Sequence, residues 1–469
     1  MTPERRRIRG WMLFDVAQQP YATLGLTFVF GPYFAEVAAG TFVQGGFDPG
    51  AAAARAQTLW GTANLLAGLA VAVTAPLLGA LVDASGRKLP WILGLSAPSV
   101  ACAWSLWWLH PDGANLYPVL ALFWLGFAAG EAALNVNNAQ LPAIAPPGEV
   151  GRVSGAGAAM GYWGGVAALA LMLLLLADGA DGLTLLGRAP AFGLDGGTRE
   201  GTRAVGPFIA LWFAAFLLPF ALWTGDPLAP ARGAPRRTLR ETLRDVARRP
   251  SLLSFLLSSM LYRDGLSALY AFGAIYAGQV LGWDVIRIGV FGIVAAVAAA
   301  LITGAGGLAD QRLGPKPVIV ASCWALLLVC AVIIGVSREG VYGVALPPGS
   351  ALPDVLFFVC GGLIGGAGGA IYSASRTLMV RHADPARPGE AFGLFGLSGR
   401  ATAFLAPGLV AAATWATGSV QMGFLPVVAL FLVALVLLAW TRPDGDRAPV
   451  SQGVPAWPAS SPPSPESAR

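Results

Sequence analysis

Charged residues are scarce in this 469-residue chain: Asp, Glu, Lys and Arg together make up 12% of it, about half the share usual in soluble proteins. That deficit excludes an ordinary water-soluble globule. Histidine occurs only as His110 and His382, each at the end of an apolar run, and neither has a Cys, His or acidic partner at a ligand spacing. A metal centre or a Ser-His-Asp site is therefore not expected. The four cysteines, Cys102, Cys323, Cys330 and Cys360, also lie in apolar runs without ligand spacing. They read as small apolar residues rather than ligands or disulfides. No Gly-x-x-x-x-Gly-Lys-Ser/Thr motif is present, which argues against nucleotide-driven work within the chain. Neither an enzymatic activity nor a bound cofactor is expected.

What fills the chain instead is apolar: 56% of residues are hydrophobic and the mean hydropathy is +0.65. A helix needs about 20 apolar residues to cross the hydrocarbon core of a bilayer. Twelve stretches meet that length, at 11–39, 57–81, 90–110, 116–140, 152–177, 205–224, 251–280, 285–309, 316–336, 353–380, 391–416 and 422–441. The start "MTPERRRIRGW" resembles the basic region of a signal peptide. The apolar segment behind it is too long and lacks a clear small-residue cleavage site, so it counts as a first span.

Basic residues set the orientation. Arg5, Arg6, Arg7 and Arg9 precede the first span, and Arg87 and Lys88 lie between the second and third. Arg152 follows the fourth, and the sixth-to-seventh connector carries seven arginines from Arg232 to Arg249. Arg312, Lys316, Arg381, Arg387, Arg442 and Arg447 continue the series. An even span count with both termini cytoplasmic puts all of these on one side. The loop 178–204 on the other side holds Arg188, Arg199 and Arg203 among four acids. Because the basic residues sort by membrane side, the net charge of +5 does not suggest a nucleic-acid partner.

The expected organisation is an N-terminal bundle over 1–228, a cytoplasmic linker over 229–250, a C-terminal bundle over 251–441 and a Pro/Ser-rich disordered tail over 442–469. Within the linker, Leu239, Leu243 and Val246 fall at helical spacing with arginines on the other faces. An amphipathic helix on the inner leaflet is one reading and a solvated linker helix the other. Lys88 and Lys316 are the only lysines against 28 arginines. With abundant Ala and Gly, that balance points to a GC-rich bacterial genome and an inner membrane.

A repeat organises the chain further. Residues 79–88 read "GALVDASGRK" and residues 306–316 read "GGLADQRLGPK"; each follows an even-numbered span, and Asp83 and Asp310 stand about half the chain apart. A polar turn explains one copy; two at that offset indicate a duplicated six-span unit. Here the sequence resembles the major facilitator superfamily, whose loop signature is carried by Gly79, Leu81, Asp83, Gly86, Arg87 and Lys88. The second copy has one inserted residue and Pro315 where Arg would stand. "GWMLFDVAQQPYATLGLTFVFGPYF", "GRVSGAGAAMGYWGG", "LYRDGLSALYAFGAIYAG" and "GEAFGLFGLSGRATAFLAPGL" further resemble the branch of autophagy-linked vacuolar amino-acid effluxers and their bacterial relatives. The resemblance implies an all-α membrane fold of twelve helices in two pseudo-symmetric six-helix bundles, and a transporter. Fungal members of the branch are associated with amino-acid export from the vacuole.

Ionisable residues inside apolar spans are costly, about 2.5–3.5 kcal/mol each on insertion scales, and face a bundle interior or a wet cavity. Arg263 and Asp264 stand side by side in the seventh span, roughly 18 Å from its basic end at 1.5 Å per residue. Neighbours on a helix point about 100° apart, so each needs its own partner elsewhere. Glu131 in span four, with Asn135 and Asn138 on its face, and Arg400 in span eleven lie at similar depth. The expected pairs are Glu131 with Arg263 and Asp264 with Arg400. The functional reading makes Arg263 a carboxylate-binding group and Glu131 or Asp264 a proton carrier; the alternative is a buried ion-pair network that only fixes packing.

Asp15, with Gln18 and Gln19 behind it, and Arg376 lie nearer the basic ends of spans one and ten, an arrangement compatible with an inner gate or with snorkelling. Gly157, Gly161 and Gly165 suit close helix packing, Gly393, Gly396 and Gly399 a close approach or a bend, and Pro20 and Pro32 a local unwinding of span one. The expected protein is a monomeric secondary transporter of an amino acid or similar small carboxylate, with protons as a candidate coupling ion. A multidrug-type exporter and a non-transporting membrane receptor or scaffold are the alternatives.

Overall fold

A computed structural model describes residues 2–146, 148–179, 181–226, 237–283 and 285–446. Residues 229–236 of the linker and 447–469 of the tail thus lie outside the described residues. The chain is helical almost throughout. The first half holds α1 (Pro3–Pro20), a π-helical segment (Tyr21–Phe28), α2 (Phe30–Gln44), α3 (Pro49–Ser85), α4 (Leu89–Trp104), α5 (Leu116–Asn138), the short turn α6 (Leu141–Ile144), α7 (Val150–Leu175), the short α8 (Glu200–Arg203) and α9 (Val205–Thr224). A linker helix, α10 (Leu239–Ala247), leads to α11 (Pro250–Gln279), α12 (Val285–Leu313), α13 (Pro315–Gly335), α14 (Leu352–His382), α15 (Pro388–Ser398), α16 (Leu405–Thr417) and α17 (Leu425–Ala439). Between α13 and α14 a small antiparallel hairpin pairs β1 (Gly340–Val341) with β2 (Val344–Ala345).

Ten helical stretches among the described residues are long and apolar enough to cross a membrane. The other two expected spans correspond to α11, which carries Arg263 and Asp264, and to the pair α15 and α16. Span eleven is therefore two pieces with a turn over 399–404, not one helix over 391–416. Span one is interrupted as well: α1 ends at Pro20, and the wider π turn runs to Phe28 before α2 begins. Pro20 lacks an N–H, and Tyr21 anchors the widened segment by donating its hydroxyl to the carbonyl of Phe123 at 2.9 Å.

Each half has its own core. One apolar cluster is drawn from residues 246–438 apart from Ala139, and two others lie wholly within residues 14–220. The halves meet along α3 with α15, α7 with α12, and α14 with α1 and α7 at the end that bears the arginine-rich loops, hereafter the basic end. Gly155 and Gly307 face each other there, and a Cβ on either would press into the other's backbone. Gly157 and Gly161 leave room for Trp11 and Asp15 of α1, and Gly165 for Gln19 and Thr23, the close packing that small residues allow.

The linker helix packs on protein. Thr238 and Glu241 form a capping box, and hydrogen bonds from Thr238 hold the exposed Glu241 carboxylate below its ordinary pKa. Val246 joins the C-terminal core and Thr242 donates to the buried Glu390, whereas Leu243 remains exposed. The apolar positions are thus divided between the bundle and its surroundings.

Candidate functional site

Carboxylates at the basic end cap helix N-termini, whose first N–H groups lack ladder partners and favour negative charge. Asp83, in the loop motif, accepts from the N–H groups of Gly389 and Glu390 at 2.9 and 2.8 Å, tying α3 to the start of α15 across the two halves. Gly79 lies one turn back, where a Cβ would overlap the carbonyl of Gly389. Gly86 ends α3 in the left-handed conformation with φ 69°, which glycine adopts without strain. Arg87 is exposed, while the N–H groups of Lys88 and Leu89 donate to Asp226 at 2.8 and 2.7 Å. Asp310, the repeat counterpart of Asp83, sits against the start of α7: a Cβ at Gly151 would lie 2.6 Å from its carboxyl carbon. The copies differ in bonding: Asp83 takes two backbone N–H groups, whereas the hydrogen-bonding neighbour of Asp310 is the Thr377 side chain.

Between these contacts lies a sealed charge cluster. Arg376 of α14 is 0% exposed. Its Nη1 donates to Asp15 of α1 at 3.1 Å and to Asn138 of α5 at 3.2 Å, and its Nε donates to the Ser154 hydroxyl of α7 at 3.1 Å. Nη2 donates to the Ser154 carbonyl, and the guanidinium lies over the rings of Trp11 and Tyr372. Asp15 and Arg376 are thus paired inside the molecule rather than snorkelling to an interface. Gln18 and Gln19 are not part of the pair; Gln19 donates to Thr23.

A second cluster is partly open. Arg400, in the turn of span eleven, donates from Nη2 to Glu131 of α5 at 3.0 Å and lies over Phe127. Arg263 of α11 lies over Phe395 and donates from Nη1 to its carbonyl at 3.1 Å. No carboxylate stands within ion-pair distance of Arg263 among the described residues, yet Glu131 and Arg400 are near enough to act on its charge. Asp264 turns away: it is buried, and its Oδ2 accepts from the N–H of Ala406 at 2.9 Å. The expected pairing is therefore corrected. Glu131 takes Arg400, while Arg263 and Asp264 bond to backbone, because span eleven breaks at Gly399 and releases Arg400 from its helical position. Asn135 packs against Gly396 and Asn138 belongs to the sealed cluster. Sequence reasoning missed Ser154, Asp226, Thr242 and Glu390; Asp226 in "TGDP" had a capping residue type but no nearby helix start to cap.

Two helical halves packed through glycine-lined helix pairs, with paired charges buried between them, are joined by the relatives of the sequence in identifying a membrane transporter of the major facilitator superfamily. Residues 148–448 match the family described as "Vacuole effluxer Atg22 like", and the chain belongs to that family. It is 22% identical over 452 residues to the uncharacterized MFS-type transporter YxiO of Bacillus subtilis, covering 94% of this chain and 96% of that protein. It is 23% identical over 310 residues to autophagy-related protein 22 of Cryptococcus neoformans, covering 61% of this chain and 49% of that longer protein. Among solved structures, the human organic anion transporter MFSD10 aligns with a TM-score of 0.67 at 18% identity, over 93% of this chain and all of that one. A bacterial homologue of the iron transporter ferroportin, in an outward-facing state, gives 0.64 at 15%, over 94% and 99%. At such identities the likeness shows the fold alone.

Proposed function

We propose that this transporter moves an amino acid or similar small carboxylate, binding it between Arg263, Arg400 and Glu131. The observation that carries the reading is an arginine inside the apolar region, half-buried and without a carboxylate partner among the described residues, beside a partly exposed Glu131–Arg400 pair that bridges the halves. Arginine recognises carboxylate through two parallel N–H groups. A solute carboxylate would draw on Arg263 and Arg400, and its ammonium group would take Glu131. Releasing Glu131 from Arg400 gives that carboxylate a route to a proton, so proton coupling is part of the proposal. The sealed Asp15–Arg376 cluster would act as the gate at the basic end, which the arginine bias assigns to the cytoplasm of a bacterial cell, with both termini there and the chain acting as a monomer.

Export of lipophilic drugs is less well supported. Tyr21 and Tyr262 are buried and hydrogen-bonded, so these two aromatics serve the core rather than an apolar pocket. Flux into proteoliposomes, measured for amino acids, simple carboxylates and lipophilic cations with and without a pH gradient, tests the reading. Carboxylate flux that is lost in Arg263→Gln at unchanged protein level is expected. Flux of lipophilic cations alone, or normal carboxylate flux in that variant, would reject it.

A further inference from the structure

The adjacent opposite charges of α11 meet the two broken ends of span eleven. Interrupting a helix within an apolar region leaves terminal carbonyls on the first piece and N–H groups on the second without ladder partners. Asp264 accepts from the N–H of Ala406 in the first turn of α16, while Arg263 adds a donor to the carbonyl of Phe395 in the last turn of α15, which also accepts from the Gly399 N–H and the Ser398 hydroxyl. Each charge also has the sign that the nearby helix dipole favours. A Cβ at Gly399, in the junction, would overlap the Arg263 guanidinium, so a side chain there would displace that arginine.

Both pieces contribute to the C-terminal core, α15 through Phe392 and Phe395 and α16 through Ala406 and Val410, but α15 is also tied to the other half. α15 is pinned to α3, where a Cβ at Gly393 would strike the carbonyl of Ala75, and its first N–H groups are held by Asp83. α16 packs within the C-terminal half, with Val410 in that core and Thr414 against Gly423. The turn 399–404 connects them, and Arg400 projects from that turn. The separation between Arg263 and Arg400 therefore depends on how the break is fixed. We propose that Asp264 is a positioning residue: by holding the start of α16 it fixes the break so that Arg263 and Arg400 face one solute carboxylate. Asp264 itself does not touch the solute. The proposal rests on the solute-binding role given above to the two arginines.

Two variants and two readouts test it. Asp264→Asn keeps an acceptor oxygen for Ala406, whereas Asp264→Ala removes it. In proteoliposomes Asp264→Ala should raise the KM for the transported carboxylate about tenfold with a smaller change in maximal rate, and Asp264→Asn should stay within about threefold of the parent. A nitroxide on Ala403→Cys, an exposed position in the turn, reports the break in the solute-free protein. Its mobility should increase with Asp264→Ala and not with Asp264→Asn.

Parental KM and label mobility in Asp264→Ala would overturn the proposal. So would loss of transport in Asp264→Asn with the label unmoved, which would make the ionised carboxylate part of the solute or proton path. If the label responds as expected but no carboxylate is carried by the parent protein, the substrate reading fails and the brace itself stands.

Discussion

A guanidinium shut off from water is stable only when its donors find acceptors, and Arg376 shows how much of the surroundings that takes. Asp15, Asn138 and Ser154, from three different helices, converge on it. Removing the charge partner while keeping the arginine leaves a buried cation, at a cost of about 3–5 kcal/mol. Asp15→Ala should therefore lower the unfolding temperature of the purified protein in detergent by several degrees. Asp15→Asn combined with Arg376→Gln should recover part of that loss, because neither charge is then stranded. Equal stability of Asp15→Ala and the parent would mean that the pair is not closed in solution. The contact could be anticipated because Asp15 and Arg376 sit at equal depth on uninterrupted runs from the basic end. The same ruler misplaced Arg400, since counting 1.5 Å per residue holds only while the helix continues.

Helix ends at the basic end are satisfied from distant parts of the chain. Asp83 serves α15, Asp226 serves α4 and Asp446 serves the start of α11. The repeat of the loop motif was legible as residues. Its partners were not, because the N–H groups that Asp83 binds are 306 and 307 residues away and no local spacing records them. The break in span eleven did leave a trace in "GLSGRATAFLAP", with Gly399 and Pro407 bracketing the turn. A count of span length passes over it, since apolar residues stand on both sides of the turn.

The unequal bonding of the two motif aspartates yields a test at this scale. Asp83→Asn loses one of two buried charge-assisted acceptors and should destabilise the protein by about 1–3 kcal/mol. Asp310→Asn removes a carboxylate that takes no backbone N–H among the described residues and should cost less. Comparing the two unfolding curves checks this; an equal penalty would show that Asp310 is bonded as its counterpart is.

For the whole molecule, the close helix contacts between the halves place a barrier at the basic end and make the glycine-lined pair α7 and α12 one of its seams. Alternating access requires that seam to part as the halves rock about the central site. A Cβ at Gly304 would stand 3.6 Å from that of Ala159, inside the window of roughly 3.5–4.5 Å that a disulfide needs. Ala159→Cys with Gly304→Cys should cross-link on oxidation, stop flux in proteoliposomes and recover it on reduction. Gly362 and Ala298 supply the control: they come within 3.7 Å in the same sense, but both lie in the C-terminal half. A link between them should form and leave transport largely intact. The four natural cysteines are buried, so they contribute little background. Undiminished flux through the Ala159–Gly304 cross-linked protein would mean that the seam stays shut throughout the cycle, and the solute would then have to leave by a path that does not separate α7 from α12.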